Sequence, residues 1–240
     1  MIREYCNLLK VGFRKRLFVL FVFVMSIALL NSGLPAIGRA FSFLVLMIAA
    51  IPFSFIHVSS FVDSMIRNVQ LQRRAQVMPF PEDFSSLAKD MGVKVSNFKI
   101  IPGLDNAGAS LQGEVFFGTK LLEKMDRDQL MCIAAHEFAH IKERHGLLTA
   151  ILVSIPLLIV NICWSGMPQG LLTIAMFACF LYFMIPASWY VELRADALAV
   201  KVVGKEKYIS TLKSLGCDGN PNEANESHPS IMMRINHLEK

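Results

Sequence analysis

The sequence predicts an α+β chain, mostly helical, with four transmembrane helices beside a polar cytosolic part that carries a small sheet. Three observations predict it. The apolar residues come in long blocks, the basic residues fall on one side of those blocks, and within the polar part a short strand-like run is followed by a well-capped helical stretch. The chain has 240 residues, with 24 Lys and Arg against 19 Asp and Glu, a formal net charge of +5. Hydrophobic residues make up 54% and charged residues 18%, against roughly 25% charged in an average soluble domain. That balance excludes a disordered chain, a coiled coil and a nucleic-acid-binding tail.

The blocks define the spans. Leu17 to Gly38 contains no Asp, Glu, Lys, Arg or His, Ala40 to Val62 contains only His57, and Gly146 to Val191 contains none. A membrane-crossing helix needs about 20 mostly apolar residues, so the last block is too long for one. The turn-type cluster from Ser165 to Gly170 divides it. The expected spans are 17–37, 41–62, 147–164 and 171–190. Arg14-Lys15-Arg16 before the first also fits a cleaved signal peptide. The run continues past Asn31-Ser32-Gly33 without a convincing small-x-small cleavage site, however, and a second span comes at once, which favours an uncleaved anchor.

Basic residues set the orientation. Arg3, Lys10, Arg14, Lys15 and Arg16 precede the first span, and only Arg39 lies between the first two. Arg67, Arg73, Arg74, Lys142 and Arg144 lie between the second and third, and Arg194 and Lys201 follow the fourth. The expected organisation is a basic cytosolic N-terminus (1–16), two transmembrane helices (17–62), a cytosolic part (63–146), a transmembrane hairpin (147–190) and a second cytosolic part (191–240). Segments 17–62 and 147–190 hold a single Asp, Glu, Lys or Arg, which is Arg39. The five Cys share no ligand spacing; Cys6, Cys132 and Cys217 read as reduced thiols, and Cys163 and Cys179 as packing residues of the spans. Residues 216–230 read as a loop.

The chemistry is concentrated at His136-Glu137-Phe138-Ala139-His140, an H-E-x-x-H sequence. It needs a helix, because His at i and i+4 share one face. Asp126 fits as N-cap with Gln129 as its capping-box partner, and no Gly or Pro interrupts 126–145. Two imidazoles on one face can take two tetrahedral positions on Zn²⁺. Glu137 then lies beside the metal as a proton acceptor without being a ligand. On that helix His145 falls about 140° from His140, which makes it a poor further ligand. His57, inside a span, reads equally as a functional group or as a hydrogen-bonded neutral side chain.

A catalytic zinc needs a third protein ligand and an open position. Extending the motif along its own helix fails, because Glu143 and Gly146 stand where Gly and His would be required. Glu192 and Asp196, one helical turn apart just after the fourth span, supply the alternative. Glu192 can ligate the metal, and Asp196 can accept the outer N–H of a ligating His. A two-span hairpin returns residue 192 to the membrane face that carries residue 140.

Together these motifs resemble the HtpX and CAAX-prenyl-protease family of integral-membrane zinc metallopeptidases. Further segments agree: Asp105-Asn106-Ala107-Gly108-Ala109, the strand-like Gly113 to Gly118, and His228-Pro229 with Arg234 six residues on. Two spans before the motif and two after look like the HtpX branch. The resemblance implies a cytosolic gluzincin-like zinc-metalloprotease domain with a small sheet, one Zn²⁺ on His136, His140 and Glu192, and Glu137 as general base. It implies that His228 and Arg234 bind substrate or stabilise an oxyanion. It also implies an active-site edge strand at 110–117, to which an extended substrate adds beside Asn106 and Ala107.

The implied function is a zinc endopeptidase of the bacterial inner or plasma membrane, acting on misfolded or damaged membrane proteins in quality control. Its partners are then protein substrates and the lipid bilayer, with no nucleic acid. The alternatives are a processing protease for lipidated or prenylated tails, against which four spans argue, and a non-catalytic zinc-binding adaptor, against which the intact Glu137 argues. A metal transporter would want ligands inside the spans, where only His57 stands.

Overall fold

The computed structural model describes residues 74–240, apart from 111, 164–168, 218–219 and 225–227. The basic N-terminus, the spans expected at 17–37 and 41–62, and His57 lie outside the described residues. The chain divides into two units. One comprises Gln70–Leu152 and Ala187–Lys240 and contains every strand among the described residues; the other includes Val153–Pro186.

The first unit is a small mixed sheet packed with helices. Strand β1 (Gln76–Met78) runs antiparallel to β2 (Asn97–Ile101), which runs parallel to β4 (Glu114–Gly118); β3 (Ala107–Ala109) pairs antiparallel with the other side of β4. Strand alternation sends Val115 and Phe117 of β4 to one face, where both are fully buried with Phe98 and Ala107. Helix α1 (Glu82–Asp90) covers that face through Phe84 and Leu87. The rings of Phe84, Phe98 and Phe117 meet at centroid distances of 5.4–5.9 Å. Phe80 joins them to Phe138 at 6.1 Å. Sheet and H-E-x-x-H helix thus share one aromatic core.

After α2 (Thr119–Lys124), helix α3 (Arg127–Lys142) carries the motif. Its start is as the sequence predicts: the Asp126 side chain accepts from the Gln129 N–H at 2.8 Å, and the Gln129 side chain accepts from the Asp126 N–H at 3.0 Å. Its centre, Cys132 to Ala139, is buried on all sides. Helix α4 (His145–Cys163) follows, then α5 (Gln169–Val203), which carries both Glu192 and Asp196. Gly204 takes a φ of 90°, open to glycine, and turns the chain into α6 (Lys205–Leu215). Residues 216–230 contain no helix or strand among those described, and α7 (Ile231–Glu239) ends the chain. The mostly helical α+β class is as expected. Among the described residues no helix is long and apolar enough to cross a membrane.

Two local expectations are corrected. The strand-like run near 110–117 is not an edge: β4 lies between β2 and β3, and β3, centred on Gly108, forms the edge among the described residues. The short β3 gains its place because Gly108 leaves room for the Phe116 ring across the strand pair; a Cβ there would lie 2.3 Å from the Phe116 Cζ. Nor does one helix run through 126–145. It stops at Glu143, and Arg144 adopts a left-handed φ of 51° before α4 begins.

The glycines separate two kinds of crowding. A Cβ at Gly118 would lie 2.0 Å from the Leu104 carbonyl oxygen, which is backbone and cannot move alone. At Gly108 the obstacle is the far end of one ring. Gly118→Ala is therefore expected to destabilise the fold by about 1–3 kcal/mol or more, and Gly108→Ala by clearly less; thermal unfolding of the two variants checks the order.

Candidate metal centre

Helix α3 presents His136 and His140 one turn apart, and α5 brings Glu192 against them. Their donor atoms converge: His136 Nε2 and His140 Nε2 are 3.1 Å apart, His136 Nε2 and Glu192 Oε2 3.3 Å, and His140 Nε2 and Glu192 Oε1 3.2 Å. A tetrahedral zinc with bonds of about 2.0–2.1 Å has ligand atoms about 3.3 Å apart, so these three separations match one face of such a site. Among the described residues, Glu192 Oε2 is the buried side-chain polar atom left without a hydrogen-bond partner, despite lying near His136. A buried carboxylate oxygen left unsatisfied is costly. A cation would satisfy it, and the two-nitrogen, one-oxygen donor set suits zinc. His136, His140 and Glu192 together form a group able to hold a metal ion.

Behind His136 stands a buried polar network. Asp196 Oδ1 accepts from His136 Nδ1 at 2.9 Å and from the Tyr208 hydroxyl at 2.6 Å. The Arg234 guanidinium donates to both Asp196 oxygens, at 2.6 and 2.8 Å. Asp196 is completely buried and Arg234 nearly so. Burial would raise the Asp196 carboxyl, but the Arg234 charge and the hydrogen bonds hold it well below the usual carboxylate range. Burial and the Asp196 charge push the Tyr208 hydroxyl well up, so it stays a donor. For His136, burial works against a proton, yet the hydrogen bonds to Asp196 and Glu192 prevail and raise it to about 10. Glu192 is held low in turn: the two histidines outweigh its desolvation.

Behind His140 stands a different partner. His145, only 2% exposed, places its Nδ1 2.9 Å from His140 Nδ1, and its Nε2 3.1 Å from Glu143 Oε2. Burial, then the neighbouring His140, push His145 down to about 4, so it is a neutral imidazole. Arg194 of α5 grips Glu143 through Nε and Nη2, and the pair joins the two ligand-bearing helices.

The donors lie in a cleft of about 870 Å³, also lined by Glu137, Asn106, Ala107 and His228. His228 Nε2 approaches Glu192 Oε2 at 3.7 Å, and burial holds this imidazole below its usual value. Arg234 is not among the residues that line the cleft; its guanidinium donates to Asp196, behind His136. Asn106 uses its backbone carbonyl to accept from the Gly118 N–H at 2.8 Å, which joins β3 to β4. Sequence reasoning missed Tyr208, Glu143 and Arg194, and set His145 aside. No local pattern marks Tyr208, and the others depend on the break at Arg144.

Removing one partner of a buried ion pair leaves an uncompensated charge, at a cost of about 3–5 kcal/mol. Asp196→Ala is expected to cost that much in unfolding measurements, and Asp196→Leu combined with Arg234→Met much less. Because the Asp196 carboxyl is depressed in the fold, its stabilisation is full above about pH 4 and fades as the pH falls below the unfolded value of about 3.9. The wild type is therefore expected to lose stability in acid more steeply than the double variant, read from melting temperature against pH.

The family model described as peptidase family M48 matches residues 67–240. A search of curated proteins finds no match. Seven chains of solved structures match, among them the crystal structure of S. mikatae Ste24p, at 16% identity and a TM-score of 0.52, over 94% of this chain and 67% of that one. At that identity the likeness concerns the fold alone. The family match spans well over half of the sequence and includes every residue of the donor cluster and its supports; the chain belongs to peptidase family M48, the HtpX/Ste24 family, and is a metalloprotease.

Proposed function

We propose that the chain is a membrane-embedded, zinc-dependent endopeptidase that cleaves misfolded or damaged membrane proteins. The observation that carries the zinc reading is the converging triplet of His136, His140 and Glu192, at tetrahedral edge spacing, with an unsatisfied buried oxygen. Zinc bound there supplies a Lewis acid that polarises the scissile carbonyl and makes water acidic enough to attack near neutral pH.

The chain's own residues do the rest. Glu137 takes the proton of the attacking water and delivers it to the leaving amine. His228, at the cleft wall, donates to the carbonyl oxygen as charge develops on it. Asn106 precedes and Ala107 begins the edge strand β3, to which an extended substrate adds through main-chain hydrogen bonds. Asp196, gripped by Arg234 and Tyr208, keeps His136 in the tautomer that turns Nε2 toward the metal.

The membrane reading is supported by the four apolar blocks and by α4. Leu147, Ile151, Ile155, Leu158, Ile159 and Ile162 recur at helical spacing on α4, each 45–64% exposed. Such a stripe suits lipid. With the basic residues on one side, both termini and the active site face the cytosol, in a bacterial inner or plasma membrane. Labelling of single cysteines from each side of the membrane tests this; a residue near 136 reached from outside would overturn it.

Glu137→Gln is expected to bind zinc as the wild type does and to lose at least about 100-fold in peptide hydrolysis, measured on an unfolded membrane protein. Equal hydrolysis by both would sink the peptidase assignment. Cleavage of a prenylated tail peptide alone would move it to tail processing. Because Asp196 and Glu192 hold a proton on His136 up to about pH 10, and a metal takes neutral imidazole, zinc binding at pH 7–8 is expected to release about one proton. Calorimetry in buffers of different ionisation heat reads that number directly.

A further inference from the structure

Helix α3 does not continue into α4. Glu143 closes it, Arg144 takes a φ of 51°, and His145 opens the next helix. A long side chain at positive φ is disfavoured and persists where surrounding contacts hold it. The turn has a consequence for His145. On an uninterrupted helix its side chain would diverge from His140 by about 140°. Here the rings meet edge to face, with centroids 4.8 Å apart and an interplanar angle of 82°.

The hydrogens of this contact can be assigned in one consistent way. His140 turns Nε2 toward His136 and Glu192, so a metal takes that nitrogen and the ring hydrogen resides on Nδ1. His140 Nδ1 then donates to His145 Nδ1 at 2.9 Å. The His145 hydrogen is left on Nε2, which donates to Glu143 Oε2 at 3.1 Å. Arg194 donates to both Glu143 oxygens, and Arg194 stands two residues from Glu192 on α5. His140 thus gives a hydrogen to His145 and His145 gives one to Glu143, which also accepts from Arg194, so the contacts return to the helix that supplies the third donor.

We propose that His145 is a positioning residue for His140: its Nδ1 accepts the His140 Nδ1–H and keeps His140 Nε2 free for the metal, while Glu143 and Arg194 hold the His145 ring in place. The two histidines are then supported unequally. His136 leans on a carboxylate, and His140 on a neutral imidazole, which supplies the hydrogen bond without adding a negative charge beside Glu192.

The proposal rests on the metal-centre reading above, and its test separates the two. Zn²⁺ affinity of the full chain is measured by competition with a chelator, and the visible spectrum is recorded with Co²⁺ in place of Zn²⁺. His145→Phe fills the buried space without an acceptor; it is expected to weaken Zn²⁺ binding about 10–100-fold and to alter the Co²⁺ spectrum. His145→Asn sets a carbonyl oxygen near the Nδ1 position and is expected to recover part of both. A His145→Phe protein with wild-type affinity and spectrum would overturn the proposal. Glu143→Gln, at a half-buried position, carries the test if the Phe variant does not fold: measurably weaker binding is expected, and unchanged binding and spectrum overturn it. A wild type that binds no Zn²⁺ would instead remove the metal-centre reading itself.

Discussion

The buried ion pair between Asp196 and Arg234 is the interaction on which the site depends. Asp196 belongs to α5, Arg234 to α7, Tyr208 to α6 and His136 to α3, and all four meet at one carboxylate. Moving two charges out of water costs several kcal/mol each, and attraction alone does not reliably offset that. Here both carboxylate oxygens accept from the guanidinium, and one also accepts from the phenol and the imidazole. The network is nearly saturated, which is the condition under which such a pair fixes a single arrangement of the helices. The position of His136, and so of the metal donors, follows from it.

The two sides of the centre solve the same problem differently. A ligating imidazole must present one nitrogen and dispose of the hydrogen on the other. On the His136 side a carboxylate accepts it, and the charge is balanced by Arg234 in the interior. On the His140 side His145 accepts it, and the balancing pair, Glu143 and Arg194, stands nearer the surface, with side chains 21% and 36% exposed. Deep burial thus belongs to the pair that organises four helices, while the outer pair clamps α3 to α5. The aromatic core beneath, from Phe84 through Phe117 to Phe138, fixes α3 against the sheet and sets the edge strand beside the cleft.

Much of this was legible in the residues themselves. The Asp126–Gln129 capping box, the i,i+4 histidines and the i,i+4 pair Glu192 and Asp196 are local patterns, each confined to one helix whose geometry is known in advance. The pairing of Glu192 with His136 was inferred from the lack of a ligand along the motif's own helix. The edge strand was misplaced because alternation marks β4 as a strand without saying which neighbours it has, and Gly108 is too small to advertise β3. His145 was set aside because no Gly or Pro signals the break at Arg144.

By itself, then, the sequence determined the class of fold, the start of the motif helix and the two i,i+4 pairs that bear the candidate donors. These follow from periodicities and spacings within about one or two turns of chain. The tertiary structure alone decided that Arg234 supports Asp196, that Tyr208 joins them, that His145 backs His140, and that β3 is the edge. Those facts depend on contacts between residues up to 98 positions apart, as His136 is from Arg234. A contact of that separation is set by how helices pack and where one φ turns positive, and no local pattern encodes either.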